Sequence, residues 1–320
     1  VGLLELVRLT WDTSASLLEK LIEYEAVHAI ESWDDLKRRL GPGRRCYAFV
    51  HPGMPDDPLI FVEVALTEGV PDRLGPLLEP TARAADPGAG SATEDAEPDE
   101  IDEQRADTAV FYAISNCHRG LAGVSLGDFL IKFVAEELAA ELANLSTFVT
   151  LSPLPGFRTW LEAEAVDDTR VSGPVPLGEL LLDGDAEGPD TDDAVWDRLR
   201  VVLVGEPLGP GDPSIERLRP VVEHLAARYV TGTDRDGRAI DPVAHFHLSN
   251  GARIDRLNWM ANPNPTGWDR GLGLMVNYRY DLRTIEDNHE RYVGEGRIAL
   301  GDQVKAMVEA RSGDGRRRWR

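Results

Sequence analysis

The sequence contains little cysteine, with only two such residues in 320. Cys46 and Cys117 each lie in or beside an apolar segment, and free cysteine packs in proteins as a small apolar residue. Their positions lack the ligand spacing of a zinc site. We therefore expect two reduced thiols and a reducing, cytoplasmic location.

Long apolar segments are also missing, since no run approaches the ~18 residues that a membrane-spanning helix needs. The first residues, Val1 to Glu5, lack the basic start of a secretory signal and are followed by Arg8 and Asp12. A secretory leader begins with basic residues and continues with an apolar stretch. The two absences predict a protein with no membrane partner.

Basic residues are scarce, because 34 Lys and Arg residues stand against 56 Asp and Glu residues and the formal net charge is −22. Such a surface repels phosphate backbones and anionic lipids, so we expect neither nucleic acid nor a membrane as partner. An anionic ligand then needs a local group of basic residues. The candidates are Lys37, Arg38, Arg39, Arg44, Arg45, Arg119, Lys132 and Arg158.

Aromatic residues are absent from residues 80–107, where Ala, Asp, Glu, Gly and Pro dominate. A segment of this composition buries too little apolar surface to offset its ordering entropy. We interpret it as a mobile acidic loop inside a single domain that spans residues 1–320, with a linker between two domains as the alternative. A second acidic cluster, residues 163–196, contains leucines that predict short helices.

A βαβ pattern is the clearest architecture that the sequence does contain. Residues 108–115 and 147–151 have strand composition, and between them come a glycine-rich segment and an amphipathic helical period at 128–142. We expect the two strands to be parallel, within a mixed-sheet α/β (α+β) fold with flanking helices. The other predicted elements are helices at 13–29, 32–40, 157–162, 193–204, 214–230 and 298–311, and strands at 46–50, 59–66, 253–259 and 272–280.

The glycine-rich segment, residues 120–127, can bring backbone amides close to a phosphate at the start of the next helix. It is not a Walker loop, because no Gly-Lys-Ser/Thr follows, and it matches a dinucleotide fingerprint poorly. A tight turn with close helix packing is the alternative interpretation.

Two of the seven histidines, His245 and His247, stand close in sequence to amides, an arginine and a tryptophan, after a short turn predicted at Asp241-Pro242. This composition suggests proton transfer or carboxylate binding, with a surface or hydrogen-bonded core histidine as the alternative.

Ser152 ends the second strand of the βαβ pattern, and the prolines around Leu154 restrict the chain there. A serine that caps the following helix is the alternative interpretation.

Several strings together resemble the malonyl-CoA decarboxylase family, which cleaves malonyl-CoA to acetyl-CoA and carbon dioxide. They are Leu-Ser-Pro-Leu-Pro-Gly-Phe at 151–157, Phe-His-Leu-Ser-Asn-Gly-Ala at 246–252, Asn-Trp at 258–259 and Asn-Tyr-Arg-Tyr at 277–280. The resemblance implies an acetyltransferase-like (GNAT-like) fold, in which a strand, a glycine loop and a helix hold coenzyme A.

The same resemblance implies that Ser152, His247 and Tyr280 are catalytic, with Asn258 beside them. It implies that acyl-CoA contacts the loop residues Gly120, Leu121, Ala122, Gly123, Val124, Ser125 and Gly127. From the order of strand, loop and helix in an acidic chain, we expect Arg119 or a nearby basic residue to meet a phosphate. In the expected mechanism, Ser152 and His247 form a hydrogen-bonded pair, and His247 supplies a proton directly or through Ser152. The thioester itself accepts the electron pair, so we expect neither a metal nor an organic cofactor.

Two departures from the family pattern bear on activity and assembly. Ser125 stands where relatives carry a glutamate, which predicts a slower enzyme than typical relatives. Relatives also carry an N-terminal helical domain that makes oligomer contacts. Since this chain starts after that domain, we expect a monomer or a weak homodimer.

Two other functions fit the same residues, because one fold hosts many reactions. An acyl-CoA-dependent acyltransferase would turn over its substrate only when an amine or hydroxyl acceptor is present. A non-catalytic acyl-CoA-binding protein would bind without turnover. The sequence does not decide between malonyl-CoA and methylmalonyl-CoA as substrate.

Overall fold

The computed structural model describes residues 3–78, 103–121, 126–166, 177–181, 191–205 and 207–309. The chain divides into two compact units. The N-terminal unit comprises Val1–Leu151 and Arg279–Ile285, and the C-terminal unit comprises Ser152–Tyr278 and Glu286–Arg320. The single-domain organisation stays a prediction. Within the described ranges, no helix combines the length and the apolarity that crossing a membrane requires.

The N-terminal unit is built on a mixed sheet with helices beside it. Its strands are β1 (Glu5–Leu9), β2 (Arg44–Val50), β3 (Ile60–Thr67), β4 (Thr108–Asn116) and β5 (Thr147–Thr150). Its helices are α1 (Ala15–Tyr24), α2 (Trp33–Arg39), α3 (Gly75–Leu78) and α4 (Leu126–Glu141). β1, β2, β3 and β4 pair in that order as antiparallel neighbours, whereas β4 and β5 are parallel. The predicted parallel pair is therefore confirmed.

Helices α1 and α2 begin where the sequence supplies capping serines. Ser14 accepts a hydrogen bond from the backbone N–H of Leu17, and Ser32 accepts one from the N–H of Asp35. These bonds satisfy donors that the first helical turn leaves free. The apolar side of the two helices packs on β1, β2 and β3 in one buried cluster that includes Leu9, Leu17, Leu18, Leu21, Leu36, Ala48 and Phe61.

Helix α1 is shorter than the predicted span of 13–29, and Glu25 explains why. Its carboxylate accepts hydrogen bonds from the backbone N–H groups of Val27 and His28, at 2.7 and 2.8 Å. A carboxylate that binds nearby backbone donors offers the chain an alternative to the helix. The chain therefore turns after Tyr24.

The C-terminal unit is mostly helical, around three strands. The helices are α5 (Phe157–Val166), α6 (Leu177–Leu180), α7 (Asp192–Val204), α8 (Pro213–Glu216), α9 (Arg219–Thr231), α10 (Pro242–Ser249), α11 (Pro265–Gly271), α12 (Ile285–Glu295) and α13 (Asp302–Glu309). The strands are β6 (Ser152–Pro153), β7 (Arg253–Asn258) and β8 (Met275–Tyr280). β6 is antiparallel to β8, and β7 also pairs with β8. The last two residues of β8 belong to the N-terminal unit, where they pair with β5.

Several predicted boundaries in this unit are wrong, each for a local reason. The turn predicted before His245 is helix α10, because Asp241 accepts from the N–H of Ala244 and Pro242 occupies the first turn. The helix predicted at 214–230 is divided into α8 and α9. Strand β8 starts at Met275 because Leu272 and Gly273 have left-handed backbones, with φ of 52° and 75°.

The last helix begins at Asp302 and not at residue 298. Residues 299–301 run along β7 instead, where the N–H of Ile254 donates to Ala299 and the N–H of Gly301 donates to Ile254. A side chain at Gly301 would collide with the backbone of Asp255. Extended pairing with β7 therefore takes these residues before the helix can start.

The predicted acidic loop at 80–107 lies outside the described residues except for its last five positions. There, Glu103 accepts from both terminal nitrogens of Arg45 at 2.8 and 2.9 Å. Asp107 accepts from the N–H of Gly69 at 2.7 Å. This end of the segment is therefore attached to the sheet.

Candidate active site

Ser152 stands at the start of β6, directly after the chain leaves β5. Its register places it opposite Val276 of β8. The side chain is buried, and its Oγ lies 3.0 Å from Nε2 of His247. The two residues predicted to form a pair, 95 positions apart in sequence, are therefore in hydrogen-bond contact.

His247 lies in the last turn of α10 and is almost completely buried. Its ring stacks on the ring of Tyr278, with centroids 4.3 Å apart and planes 27° from parallel. Burial lowers the pKa of His247 from 6.5 to about 3. The imidazole is therefore neutral at neutral pH, because the interior disfavours its charged form.

The pair occupies one face of β8. Directly opposite residues of an antiparallel pair share a face, so Ser152 lies on the side of Val276. Side chains alternate along a strand, which places Tyr278 on this same side and Asn277 on the other. The stacking of His247 on Tyr278 agrees with this assignment.

Asn258 lies on the other face of β8. Its Nδ2 donates to Oδ1 of Asn277 at 2.8 Å, and Nε of Arg256 donates to the same oxygen at 3.1 Å. Both asparagines are buried. The geometry therefore gives Asn258 a part in holding β7 to β8, and its place beside the Ser152–His247 pair stays a prediction.

Tyr280 belongs to the N-terminal unit, where it pairs with Phe148 of β5. Its ring is buried and meets the ring of Phe111 edge-on at 6.4 Å. Within this unit it is a core residue of the sheet. Its part in catalysis stays a prediction.

Asn250 is a residue that the sequence interpretation did not single out. It follows His247 by three positions, at the end of α10, and is 6% exposed. Neither Nδ2 nor Oδ1 of its side chain has a hydrogen-bond partner among the residues that the structure describes. A buried amide of this kind can bind a polar group of a ligand.

The predicted phosphate loop follows β4 in the N-terminal unit. Arg119–Leu121 forms one turn of 3-10 helix, and Gly127 lies in the first turn of α4. Four of the predicted contacts lie outside the described residues: Ala122, Gly123, Val124 and Ser125. A Cβ at Gly120 would meet no atom of the described residues within 4 Å, so packing against those residues does not require glycine there.

Most of the predicted basic group is engaged in ion pairs or carbonyl contacts of its own. Arg39 binds Glu63 and Asp35, both at 3.1 Å, and Arg45 binds Glu103 and Glu141 at 2.8 and 2.7 Å. The others with such contacts are Arg38 with Asp35, Arg44 with carbonyl oxygens and Arg158 with Glu162 and Asp269. These arginines are structural.

Arg119 differs from the other arginines of that group. It is exposed, and no carboxylate in the described part of the chain lies within ion-pair distance of it. It stands at the position where the predicted loop begins. Arg119 is therefore the best placed of the group to meet an anion.

The Ser152–His247 geometry supports two kinds of chemistry. A serine hydroxyl within hydrogen-bond distance of a neutral imidazole can act as a nucleophile or can exchange a proton with a reacting carbon. The burial of both groups keeps water from competing for that proton. The pair alone does not distinguish acyl transfer from protonation of a carbanion.

Comparison with known proteins indicates the family to which the chain belongs. A profile of the malonyl-CoA decarboxylase C-terminal domain matches residues 2–317. The mitochondrial malonyl-CoA decarboxylases of Anser anser anser and Rattus norvegicus are 36% and 37% identical over 309 and 310 residues. Each alignment covers 96% of this chain. The chain spans 58% and 59% of the length of these curated relatives.

Solved structures of malonyl-CoA decarboxylases are similar to this chain in sequence and in fold. The malonyl-CoA decarboxylase from Rhodopseudomonas palustris is 43% identical, with a TM-score of 0.78 over 97% of this chain and 66% of its own. The one from Agrobacterium vitis is 40% identical, with a TM-score of 0.79 over 97% of this chain and 68% of its own. The chain shares the fold of these decarboxylases, which is the fold that the resemblance predicts.

Proposed function

This chain belongs to the malonyl-CoA decarboxylase family, and we propose that it converts malonyl-CoA to acetyl-CoA and carbon dioxide. The observation that carries the proposal is the buried contact of 3.0 Å between Ser152 Oγ and His247 Nε2. It supplies a proton-transfer pair at residues that match the family strings.

The first step breaks the bond between C2 and the carboxylate carbon of the malonyl group. Carbon dioxide leaves, and the electron pair passes into the thioester as an enolate. A site without a facing cation favours this loss, because a cation would stabilise the carboxylate that must be given up. The imidazole of His247 is neutral, so this residue is not such a cation.

The second step places a proton on C2 of the enolate. In our mechanism the hydroxyl of Ser152 donates this proton, and the resulting alkoxide is held by His247 at 3.0 Å. His247 then passes a proton taken from water back to Ser152. The balance is one proton consumed from solution for each carbon dioxide released, which matches the overall reaction.

The thioester accepts the electron pair of the broken bond, so the reaction needs neither a metal nor an organic cofactor for that purpose. Asn250 is our candidate donor to the malonyl group or to the enolate oxygen, because its amide is buried and lies one turn from His247. A positioned donor of this kind lowers the barrier as charge develops on the oxygen.

Coenzyme A binds, in this proposal, at the loop that starts with Arg119 and at the first turn of α4. The order of strand, loop and helix supports it, since a helix N-terminus attracts phosphate. The exposed guanidinium of Arg119 adds one positive charge in a chain of net charge −22. Arg119→Ala should raise KM for malonyl-CoA and leave kcat near the wild-type value.

We also propose a reducing, cytoplasmic location, as the two cysteines suggest. Burial raises the pKa of the Cys46 thiol well above its ordinary value and that of Cys117 to about 12. Both thiols therefore stay protonated and unreactive. Cell fractionation with an antibody to the chain would test the location.

The decisive experiment is incubation of the purified chain with malonyl-CoA, and in parallel with methylmalonyl-CoA, followed by mass spectrometry of the products. We expect acetyl-CoA without any added acceptor. Ser152→Ala and His247→Ala should each lower the rate by about 100-fold or more, the usual scale for losing a positioned proton-transfer group. Circular dichroism should show both variants folded.

Other outcomes would assign a different function. Turnover that appears only with an amine or hydroxyl acceptor would identify an acyltransferase. Binding of acyl-CoA without turnover would identify a binding protein. Wild-type rates in a folded Ser152→Ala variant would remove the serine from the mechanism.

A further inference from the structure

Tyr229 of α9 lies against the turn that follows Ser152. A Cβ at Gly156 would fall far inside contact distance of the Tyr229 hydroxyl oxygen, while its next neighbour, Cζ of the ring, would be at 3.5 Å. Only glycine fits there without movement of the hydroxyl. The phenol therefore sets the position of the chain four residues after Ser152.

The ring of Tyr229 is held independently of its hydroxyl. It packs on the rings of Phe157 and Trp160, with centroid distances of 5.7 and 5.4 Å, and is 4% exposed. Aromatic pairs at these distances stabilise one another beyond their burial. Phenylalanine at position 229 would keep this packing and lose only the hydroxyl.

The same hydroxyl donates to Oδ2 of Asp241 at 3.1 Å. Asp241 is completely buried, and its other oxygen accepts from the N–H of Ala244 at 2.7 Å, which caps α10. His247 lies two turns further along that helix. The hydroxyl of Tyr229 is thus the common contact of the Ser152 turn and of the helix that carries His247.

We propose that Tyr229 is a positioning residue for the Ser152–His247 pair, and that its hydroxyl, held between Gly156 and Asp241, fixes the separation of Oγ from Nε2. The kinetic part of this inference rests on the proposed decarboxylase function. The contacts close a ring within the C-terminal unit, from Ser152 through Gly156, Tyr229 and Asp241 to His247 and back to Ser152.

Tyr229→Phe tests the proposal directly. We expect kcat per folded molecule to fall about tenfold or more with KM for malonyl-CoA unchanged, because small misplacements of reacting groups cost that much. Tyr47→Phe is the matched control, since it removes a buried hydroxyl from β2 in the other unit and should leave kcat unchanged. If the role of Tyr229 is purely structural, Tyr229→Phe should lower the melting temperature and leave kcat per folded molecule unchanged.

A double-mutant cycle adds a signature of direct contact. Gly156→Ala should lower kcat in the wild-type background, because the new Cβ displaces the hydroxyl of Tyr229. In the Tyr229→Phe background the hydroxyl is gone and the nearest ring atom lies at 3.5 Å, so Gly156→Ala should cost no further activity. Equal losses in both backgrounds would overturn the proposal.

Asp241→Asn is the conservative variant for the other side of the contact. Its single amide oxygen can still accept from the N–H of Ala244, since asparagine is as good a cap as aspartate, and its Nδ2 can donate to the hydroxyl oxygen of Tyr229. We expect it to retain most of kcat, whereas a large loss in Asp241→Asn would show that charge, and not positioning, is what the site needs.

A readout without substrate separates this inference from the proposed function. In protein labelled with 15N histidine, the Nε2 resonance of His247 reports the hydrogen bond to Ser152, and Ser152→Ala gives the value without it. Tyr229→Phe should move the wild-type resonance toward that value, and Tyr47→Phe should not. If the wild-type protein lacks decarboxylase activity, the proposed function is wrong, but the His247 resonance still tests the positioning role of Tyr229. A Tyr229→Phe resonance equal to that of the wild type refutes this positioning role.

Discussion

The buried, neutral His247 makes stability depend on pH in a way that one substitution should remove. The perturbation is His247→Gln, which keeps a polar group within reach of Ser152 and cannot take up a proton in this pH range. Burial lowers the pKa of His247 from 6.5 to about 3 in the folded chain. As the pH falls, the unfolded chain therefore binds the proton before the folded chain does.

The size of the pH effect on stability follows from the difference between the pKa values of His247 in the unfolded and folded chains. The stabilisation from the neutral imidazole is complete above the unfolded pKa of 6.5 and is lost as the pH falls toward the folded value of about 3. One pKa unit corresponds to 1.36 kcal/mol, so the wild-type chain should lose about 2 kcal/mol between about pH 7.5 and about pH 5 through this residue. His247→Gln should lack this loss.

The assay is urea denaturation of both proteins at about pH 7.5 and about pH 5, with the difference of the two pH effects as the result. Carboxylates that titrate in this range are common to both proteins and cancel. Ser152→Ala is the control, because it keeps the imidazole buried and should retain the wild-type pH effect. An equal pH effect in wild type and His247→Gln, or an NMR titration of His247 near its unfolded pKa, would refute the reasoning.

Three further predictions test other parts of the chain. Arg39→Leu leaves Glu63 buried without its cation and should lower the free energy of unfolding, measured by urea denaturation, by about 3–5 kcal/mol. Arg39→Lys keeps a positive charge and should lose less of this stability. Asn258→Ala removes the donor to Asn277 and should cost about 1 kcal/mol of stability while kcat stays within a few-fold of wild type. Tyr280→Phe should lower kcat about tenfold if the family resemblance assigns its hydroxyl correctly, and an unchanged kcat would make it a core residue only.

The parts of the fold that the sequence predicts are those whose signals are local. Strands β4 and β5 and helix α4 are each marked by their own periodicity, and a parallel pair needs a helical crossover between its strands. Ser14 and Ser32 mark helix starts because a cap bonds to residues two or three positions away. Such features require no knowledge of the rest of the chain.

The parts of the fold and of the site that the sequence does not predict depend on contacts between residues far apart in the chain. Helix α10 has only eight residues with histidines and a phenylalanine in place of a clean apolar stripe, so its period is too short to recognise. Arg39 and Arg45 look like a phosphate site until their carboxylate partners, up to 96 positions away, are known. The pair of Ser152 and His247 was predicted through the family strings, because no periodicity connects residues 95 positions apart.

The burial of His247 and the proposed positioning role of Tyr229 are connected by the chemistry of the site. A histidine whose pKa is about 3 is a poor source of protons at neutral pH, so the proton for C2 has to come from a group that it assists. Ser152 is that group only while its hydroxyl stays at 3.0 Å from Nε2, since neither residue is charged and no ion pair holds them together. A neutral hydrogen bond contributes about 1 kcal/mol, which is too little to fix the turn and the helix by itself. The geometry must therefore come from the surrounding packing, and the hydroxyl of Tyr229, which lies against Gly156 and donates to Asp241, contacts both of the segments that carry the pair.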